Sequence, residues 1–455
     1  MTIKINFLGA TKCVTGSKYL IQTDNHNLLI DCGLFQGSKE LRLRNWDKFP
    51  IDPNTIDAVL LTHAHIDHSG YLPLLIKNGF RGKIYCTPAT KDLCSILLPD
   101  SGYLQEEQAC FANKHKISKH KPALPLYTKS EAENSLRYFT TLDFDKTHQL
   151  YNDLNIQFHR AGHILGAASI SIQTQGLSIV FSGDLGRLND PIMYPPSIIT
   201  HADYLITEST YGDRLHDKNS PLDQLEKIIN RVVQRNGTIL IPAFAIGRAQ
   251  TILYLIYKLK HSQRIQDIPI FLDSPMAVDA TEIFLRYSNE HKLSARETNQ
   301  VYKITKYINT IEESKKIDAI KSPKIIISAS GMAAGGRILH HIKAFASDSR
   351  NIILFTGYQA EGTRGNTMVR ARQKKIKLLG KVITVNAEIL ELENVSAHAD
   401  AKEIILWLKN FTVPPKTIFI THGEIKAIKS LQSIITQKLN WHCIIPNYMQ
   451  EDILK

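Results

Sequence analysis

The chain has 455 residues, 43% of them hydrophobic and 22% charged, which is the make-up of a globular protein with room for two or three domains of about 150 residues. No apolar run approaches the ~18 residues that a membrane-crossing helix needs, so a helical membrane protein is excluded. Fifty-five Lys and Arg against 43 Asp and Glu leave +12, a balance that favours a polyanionic partner such as nucleic acid.

The N-terminal segment, Met1 to Phe7, alternates like a first strand and has no signal-peptide core, so a cytoplasmic protein is expected. The six cysteines show no C-x-x-C pair, which reads as free thiols in a reducing compartment. Lys18–Ile21 and Asn27–Ile30 read as strands around a turn at Asp24-Asn25-His26, and Asp31 ends the second. A strand-end aspartate of this kind can support a metal-bound histidine by accepting its outer N–H.

Val59-Leu60-Leu61 is a short buried-strand run that releases into His63-Ala64-His65-Ile66-Asp67-His68. Imidazole and carboxylate suit zinc, and a catalytic zinc leaves one position open for water. So tight a cluster cannot wrap one ion with every donor. It can give His63 and His65 to one metal and Asp67 and His68 to a second, with the missing partners coming from elsewhere in the chain.

From Thr90 to about Thr147 longer helical segments are expected, Glu131–Phe139 among them. Asn113–Lys121 is markedly basic and is read first as a solvated face. Strands resume at Ile156–His159 and Ile179–Phe181, followed by His163 in Ala-Gly-His-Ile-Leu-Gly and Asp184 in Ser-Gly-Asp-Leu-Gly. Metal donors at strand ends in 63–68, 163 and 184 suggest one site built from three edges. Tyr204–Thr207 is a further strand, ending at Glu208.

Ser220-Pro221 opens an amphipathic helix that Gly237 closes. Four strand–loop–helix units follow. Their strands are Thr238–Ile241, Pro269–Leu272, Lys324–Ile327 and Asn351–Phe355, with Arg248, Ser330, Gly331, Arg337 and Tyr358 in or beside the loops that follow. This grammar predicts a parallel α/β sheet whose ligands meet the strand C-termini. Glycine loops before helices offer amides to phosphate, and arginine adds planar donors. Residues 370–381 are basic without an acid. His398 and His422 lie in two late histidine loops, Ser-Ala-His-Ala-Asp and Thr-His-Gly-Glu.

These motifs resemble, in order, those of the metallo-β-lactamase superfamily: Asp31, His63-Ala-His65-Ile-Asp67-His68, His163 and Asp184. Glu208, His398 and His422 resemble the three further motifs of its β-CASP nucleases, and the likeness spans nearly the whole chain. It is nearest to the compact bacterial and archaeal RNA nucleases related to the pre-mRNA 3′-processing endonuclease subunit. Neither the N-terminal RNA-binding extension of archaeal members nor the extra C-terminal domain of RNase J is expected.

The resemblance implies an α/β fold: a four-layer αβ/βα metallo-β-lactamase domain over 1–209 and 376–455, with a parallel-sheet β-CASP domain inserted over 210–375. It implies two Zn2+ ions. His63, His65, His163 and Asp184 would hold one, and Asp67, His68, Asp184 and His422 the other, with Asp31 behind them. Asp67, Asp184, Glu208 and His398 would be catalytic: a shared hydroxide would attack a phosphodiester, and His398, oriented by Glu208, would protonate the departing 3′-oxygen. Arg248, Ser330, Gly331, Arg337 and Tyr358, with His398, would touch the substrate.

The implied partner is single-stranded RNA, cut endonucleolytically, with 5′→3′ exonucleolytic attack and a homodimer left open and no membrane partner. A DNA nuclease is the nearest alternative, and His422 favours RNA because DNA-directed members tend to have valine there. A small-molecule zinc hydrolase would need neither the inserted sheet nor His398. A non-catalytic RNA-binding scaffold would have lost metal ligands, and none is missing here.

Overall fold

The computed structural model describes residues 2–321, 323–357, 359, 362–371 and 375–455. It forms two compact units, Met1–Leu215 with His398–Lys455, and His216–Ala397.

In the first unit two seven-stranded sheets share one core. The first runs Glu451–Leu454, Ile3–Phe7, Tyr19–Gln22, Asn27–Ile30, Ala58–Leu60, Lys83–Cys86 and Phe139–Thr141. The second runs Cys443–Ile444, Thr417–Ile420, Tyr204–Thr207, Leu177–Phe181, Ala168–Thr174, Leu154–Arg160 and Thr147–Tyr151. Alternation decides which side chains meet: Ile3, Ile5 and Phe7 are buried while Lys4 and Asn6 between them are less so. These residues pack against Phe158, Ile170, Phe181 and Phe419 of the facing sheet. The Phe7 and Phe419 rings lie 5.0 Å apart.

The outer face of the second sheet, with Val180, Leu205 and Ile418, is covered by Ile404 and Trp407 of helix Ala401–Leu408 and by Ile428 and Leu431 of helix Ile425–Leu439. On the other side helix Pro88–Lys114 packs on helix Lys129–Ser135 and on strand Phe139–Thr141. The layers are therefore αβ/βα. The single helix expected over Glu131–Phe139 is instead three pieces, helix Lys129–Ser135, a 3-10 turn Leu136–Tyr138 and a strand beginning at Phe139. Strand pairing with Lys83–Cys86 captures Phe139 and overrides the local helical pattern.

Each sheet is antiparallel in one half and parallel in the other. The parallel neighbours Asn27–Ile30 and Ala58–Leu60, and Leu177–Phe181, Tyr204–Thr207 and Thr417–Ile420, end together. Loops leaving their C-termini converge.

The second unit carries a six-stranded, all-parallel sheet in the order Thr305–Tyr307, Ile270–Leu272, Lys324–Ser328, Thr238–Pro242, Ile352–Phe355 and Glu388–Glu391. Helix Pro221–Gln234 starts where Ser220 caps it and Pro221 opens it. Leu240, Ile326 and Ile353 pack with Ile338, Ile342 and Met368 in its core. Glu388–Glu391 pairs with Ile352–Phe355, within the unit His216–Ala397. Of the basic stretch 370–381, Lys375 and Lys377 face out from a short hairpin whose Ile376 and Leu378 face in, while Arg372 and Lys374 lie outside the described residues.

Candidate metal centre and its proton donor

The loop after Ala58–Leu60 is buried from the start: Thr62, His63 and Ala64 are almost without exposure. Asp31, at the end of the neighbouring parallel strand, organises it. Its Oδ1 accepts from the Thr62 amide at 2.8 Å, and its Oδ2 accepts from Thr62 Oγ1 at 2.9 Å and from His68 Nδ1 at 2.7 Å. That bond turns His68 Nε2 inward. Gly33 lies flat against the same loop, where a Cβ would fall 1.6 Å from the Asp67 carbonyl oxygen.

The second sheet supplies the rest. His163 follows Leu154–Arg160 on the Gly162 turn (φ +73), and Asp184 follows Leu177–Phe181 on the Gly183 turn (φ +55). His422 follows Thr417–Ile420 with its own φ at 46, and its amide donates to the Ala10 carbonyl at 2.7 Å.

Two donor groups result. In the first, His65 Nδ1 is 3.2 Å from His63 Nε2 and 3.3 Å from His163 Nε2, and Asp184 Oδ2 is 3.5 Å from His63 Nε2 and from His163 Nε2. In the second, His68 Nε2 is 3.1 Å from His422 Nε2 and 3.9 Å from Asp67 Oδ2. Asp184 Oδ1 is 3.3 Å from His68 Nε2 and 3.5 Å from His422 Nδ1. One carboxylate thus turns one oxygen to each group.

Electrostatics sorts these imidazoles. Burial pushes His63 and His163 well below the ordinary histidine value and His65 down to about 4, so all three are neutral with lone pairs available. Burial alone would lower His68 too, but the carboxylates of Asp184 and Asp31 outweigh it and raise it well above the usual range. Burial opposes ionisation of Asp184, yet His422, His68 and His63 hold it well below the usual carboxylate value.

These features fit divalent metal ions. Ring nitrogens from His63, His65 and His163, and from His68 and His422, converge on one another at 3.1–3.3 Å, as donors around a cation do. Asp184 Oδ1 is buried with no hydrogen bond, and the donor set of neutral imidazole and carboxylate is the one zinc takes.

Beside this centre stands a histidine–carboxylate pair. Glu208, after Tyr204–Thr207, is 2% exposed, and its oxygens accept from the amides of Leu185 at 2.6 Å and Thr210 at 3.2 Å. Its Oε1 lies 3.2 Å from His398 Nδ1. His398 is held by an antiparallel bridge to Gly186, and its ring stands 4.4 Å from that of His163. Burial lowers its pKa, and the Glu208 carboxylate more than reverses this, so the ring holds its proton above the ordinary value.

In the second unit Arg248 is the first residue of helix Arg248–His261 and is 8% exposed. Ser330 Oγ accepts from the amides of Ala334 and Gly335 at 3.0 and 3.3 Å, and a Cβ on Gly331 would meet the Phe244 ring at 2.8 Å. Arg337, expected to touch substrate, is held within its own unit. Its Nη1 donates to Asp273 Oδ1 at 2.7 Å and to the Ile308 carbonyl at 3.2 Å, and its Nη2 to the Asn309 carbonyl at 2.7 Å. Those partners brace the guanidinium, whose side chain remains partly exposed. Tyr358 lies outside the described residues.

Sequence reasoning missed Thr62 and Thr210, which pair with Asp31 and with His422 Nδ1 (3.1 Å), because threonines after strands carry no signal of their own. It also missed Gln359, whose Nε2 donates to the carbonyls of Gly331 and Gly357 at 3.2 and 3.1 Å and ties two loops together.

The chain matches three family models: a metallo-beta-lactamase superfamily domain over residues 20–208, a Beta-Casp domain over 249–368, and a Zn-dependent metallo-hydrolase RNA specificity domain over 382–446. It is 34% identical to "Ribonuclease TTHA0252" of Thermus thermophilus, with 94% of each chain covered. It is 31% identical to "Transcription termination factor FttA" of Methanosarcina mazei, over 96% of this chain and 69% of that one. A crystal structure of a protein of unknown function from Enterococcus faecalis shares the fold, with a TM-score of 0.56 at 12% identity over both whole chains.

Proposed function

The chain belongs to the β-CASP branch of the metallo-β-lactamase superfamily, and on that footing we propose that it is a two-zinc ribonuclease that cuts single-stranded RNA endonucleolytically. The observation that carries the reading is Asp184, whose two oxygens face two separate donor groups, with His398 4.0 Å from Oδ2. RNA as substrate is supported by the RNA specificity domain model over 382–446 and by the name of the Thermus relative.

When bound, paired zinc ions supply Lewis-acid activation of a water molecule and neutralise charge on the phosphate under attack. His63, His65 and His163 would hold one of them and Asp67, His68 and His422 the other, with Asp184 shared. The chain's own residues do the rest. Asp31 fixes His68 by taking its outer N–H, and Thr62 fixes Asp31. As the oxygen of the water, which has released one proton to solvent, bonds to phosphorus, the P–O3′ bond breaks and its electron pair stays on O3′. His398 gives O3′ a proton from Nε2, because Nδ1 is engaged by Glu208. The products are a 5′-phosphate and a 3′-hydroxyl. Arg248, Ser330, Gly331, Arg337 and Tyr358 are the proposed contacts to neighbouring phosphates and bases.

No helix among the described residues is long and apolar enough to cross a membrane, in keeping with a substrate met in water. The test is incubation of the zinc-loaded protein with circular and 5′-labelled linear single-stranded RNA and DNA. Linearised circular RNA with 5′-phosphate ends supports the reading. Cleavage of DNA alone, or of neither polymer, would overturn it.

A further inference from the structure

We infer that the loop spanning residues 114–122 is a second RNA-binding site, remote from the metal centre, that holds the phosphodiester chain of a substrate whose scissile bond lies at the zinc ions. The inference rests on the ribonuclease reading for the identity of its ligand.

Helix Pro88–Lys114 begins against the loop that follows His163. Thr87 and Thr90, in its first turn, both donate through Oγ1 to the Gly166 carbonyl, at 2.7 and 2.9 Å, three residues beyond His163. With 27 residues at 1.5 Å each, the helix is about 40 Å long. Its far end bears Lys114, Lys116, Lys119 and Lys121, all exposed, and no acid occurs between residues 109 and 127. Among the described residues none of these four lysines is in an ion pair, whereas Lys77, Lys129 and Lys146 of the same unit are.

A floppy basic tail would need no ligand. This loop is instead braced. Asn113 closes its base in both directions, Nδ2 donating to the Ala123 carbonyl at 3.0 Å and Oδ1 accepting from the Ala123 amide at 2.7 Å. Gln105 Oε1 accepts from the Leu126 amide at 3.1 Å, Glu106 from the Lys129 amide at 2.8 Å, and the buried Tyr127 donates to Ser101 Oγ at 2.8 Å. Four like charges held on a fixed scaffold repel one another until a polyanion is shared between them.

Rings are interleaved with the charges. Phe111 is 57% exposed and packs on the His115 ring at 4.3 Å, and Ile117 and Leu124 are 67% and 65% exposed. Lysines for phosphates beside an exposed aromatic face for bases are the make-up of a single-strand binding surface. At ~3.4 Å per nucleotide of stacked strand, 40 Å corresponds to about a dozen nucleotides, so only a longer RNA reaches both sites.

The test measures binding of fluorescent 5-mer and 20-mer single-stranded RNA to zinc-loaded His398→Ala protein, over a salt series, with and without Lys114, Lys116, Lys119 and Lys121 changed to Gln. Neutralising four phosphate contacts should lower the slope of log K against log salt by about 3 and weaken 20-mer binding on the order of tenfold, leaving the 5-mer unchanged. Changing the same lysines to Arg should restore the slope. Phe111→Ala should weaken the 20-mer about fivefold or more with no change in slope. Equal 20-mer affinity and slope in the Gln variant, at unchanged melting temperature, would overturn the site. Loss by that variant of binding to phosphatidylglycerol vesicles, with RNA binding intact, would overturn it in favour of a membrane surface. Cleavage of the 5-mer by wild-type protein reports separately on the ribonuclease reading.

Discussion

His68 Nε2 and His422 Nε2 face each other across 3.1 Å, although 354 positions separate them in the chain. The outer nitrogen of each ring is occupied, by Asp31 Oδ2 at 2.7 Å and by Thr210 Oγ1 at 3.1 Å, so the inner nitrogens are held facing each other.

The first prediction concerns that ion. His422→Ala should lower bound zinc from about two to about one per chain, by inductively coupled plasma mass spectrometry. Removing both ions from the wild type should lower the melting temperature of the unit that holds them by about 10–20 °C, given about 2.7 kcal/mol of linkage per ion at a hundredfold excess over Kd. Unchanged stoichiometry in His422→Ala would remove the second metal position.

His398→Ala should keep both zinc ions and lose RNA cleavage by about 10²–10⁴, the range of a general acid. Glu208→Gln, which weakens the hold on His398 Nδ1, should reduce the rate by less and leave zinc in place. The measurement is single-turnover cleavage alongside metal content. Full activity in His398→Ala would end the proton-donor role.

Gly33→Ala places a methyl group where the Asp67 carbonyl stands, 1.6 Å away, and backbone on both sides cannot yield. The expected cost is on the order of 4 kcal/mol, with zinc lost in whatever fraction still folds. Thermal denaturation checks it, and a stable, zinc-replete variant would show the loop to be more pliant than its packing.

The inserted unit has its own pH signature. Asp273 is without exposure and accepts from Arg337 Nη1, Ser314 Oγ and His341 Nε2, while His341 Nδ1 donates to Asp318 at 2.8 Å. Burial lowers the His341 pKa, but its bonds to the two aspartates outweigh that and raise it above the ordinary value. The stabilisation is therefore fully present below about pH 6.5 and is lost as pH rises through the folded-state value. Denaturant melts of the wild type should show this decline, and His341→Gln should abolish it. Burial opposes the charged form of Asp273, yet its bonds to His341, Ser314 and Arg337 lower its pKa, so its contribution is present above about pH 4 and lost as pH falls further. Asp273→Asn should cost about 3–5 kcal/mol, because it strands Arg337 and His341.

Much of this molecule was legible from local pattern. Buried-strand runs such as Val59-Leu60-Leu61 and Lys324–Ile327, and the cap at Ser220-Pro221, depend on neighbours a few positions away, so the sequence states them directly. Thr305–Tyr307 and Glu388–Glu391 went unread because each lies at an edge of the inserted sheet and is set by pairing with one neighbouring strand, and not by its own apolarity.

The sequence by itself determined which residues could bind metal, because histidine and aspartate at strand ends carry that chemistry wherever the chain places them. It could not show that the Arg337 guanidinium meets Asp273, 64 positions away, nor could it assign Thr62 and Thr210 their places beside Asp31 and His422. Only the tertiary structure decided that Asp184 turns one oxygen to each donor group. The direction of a carboxylate is set by the register of three parallel strands against the facing sheet, and that register is a property of the packed core.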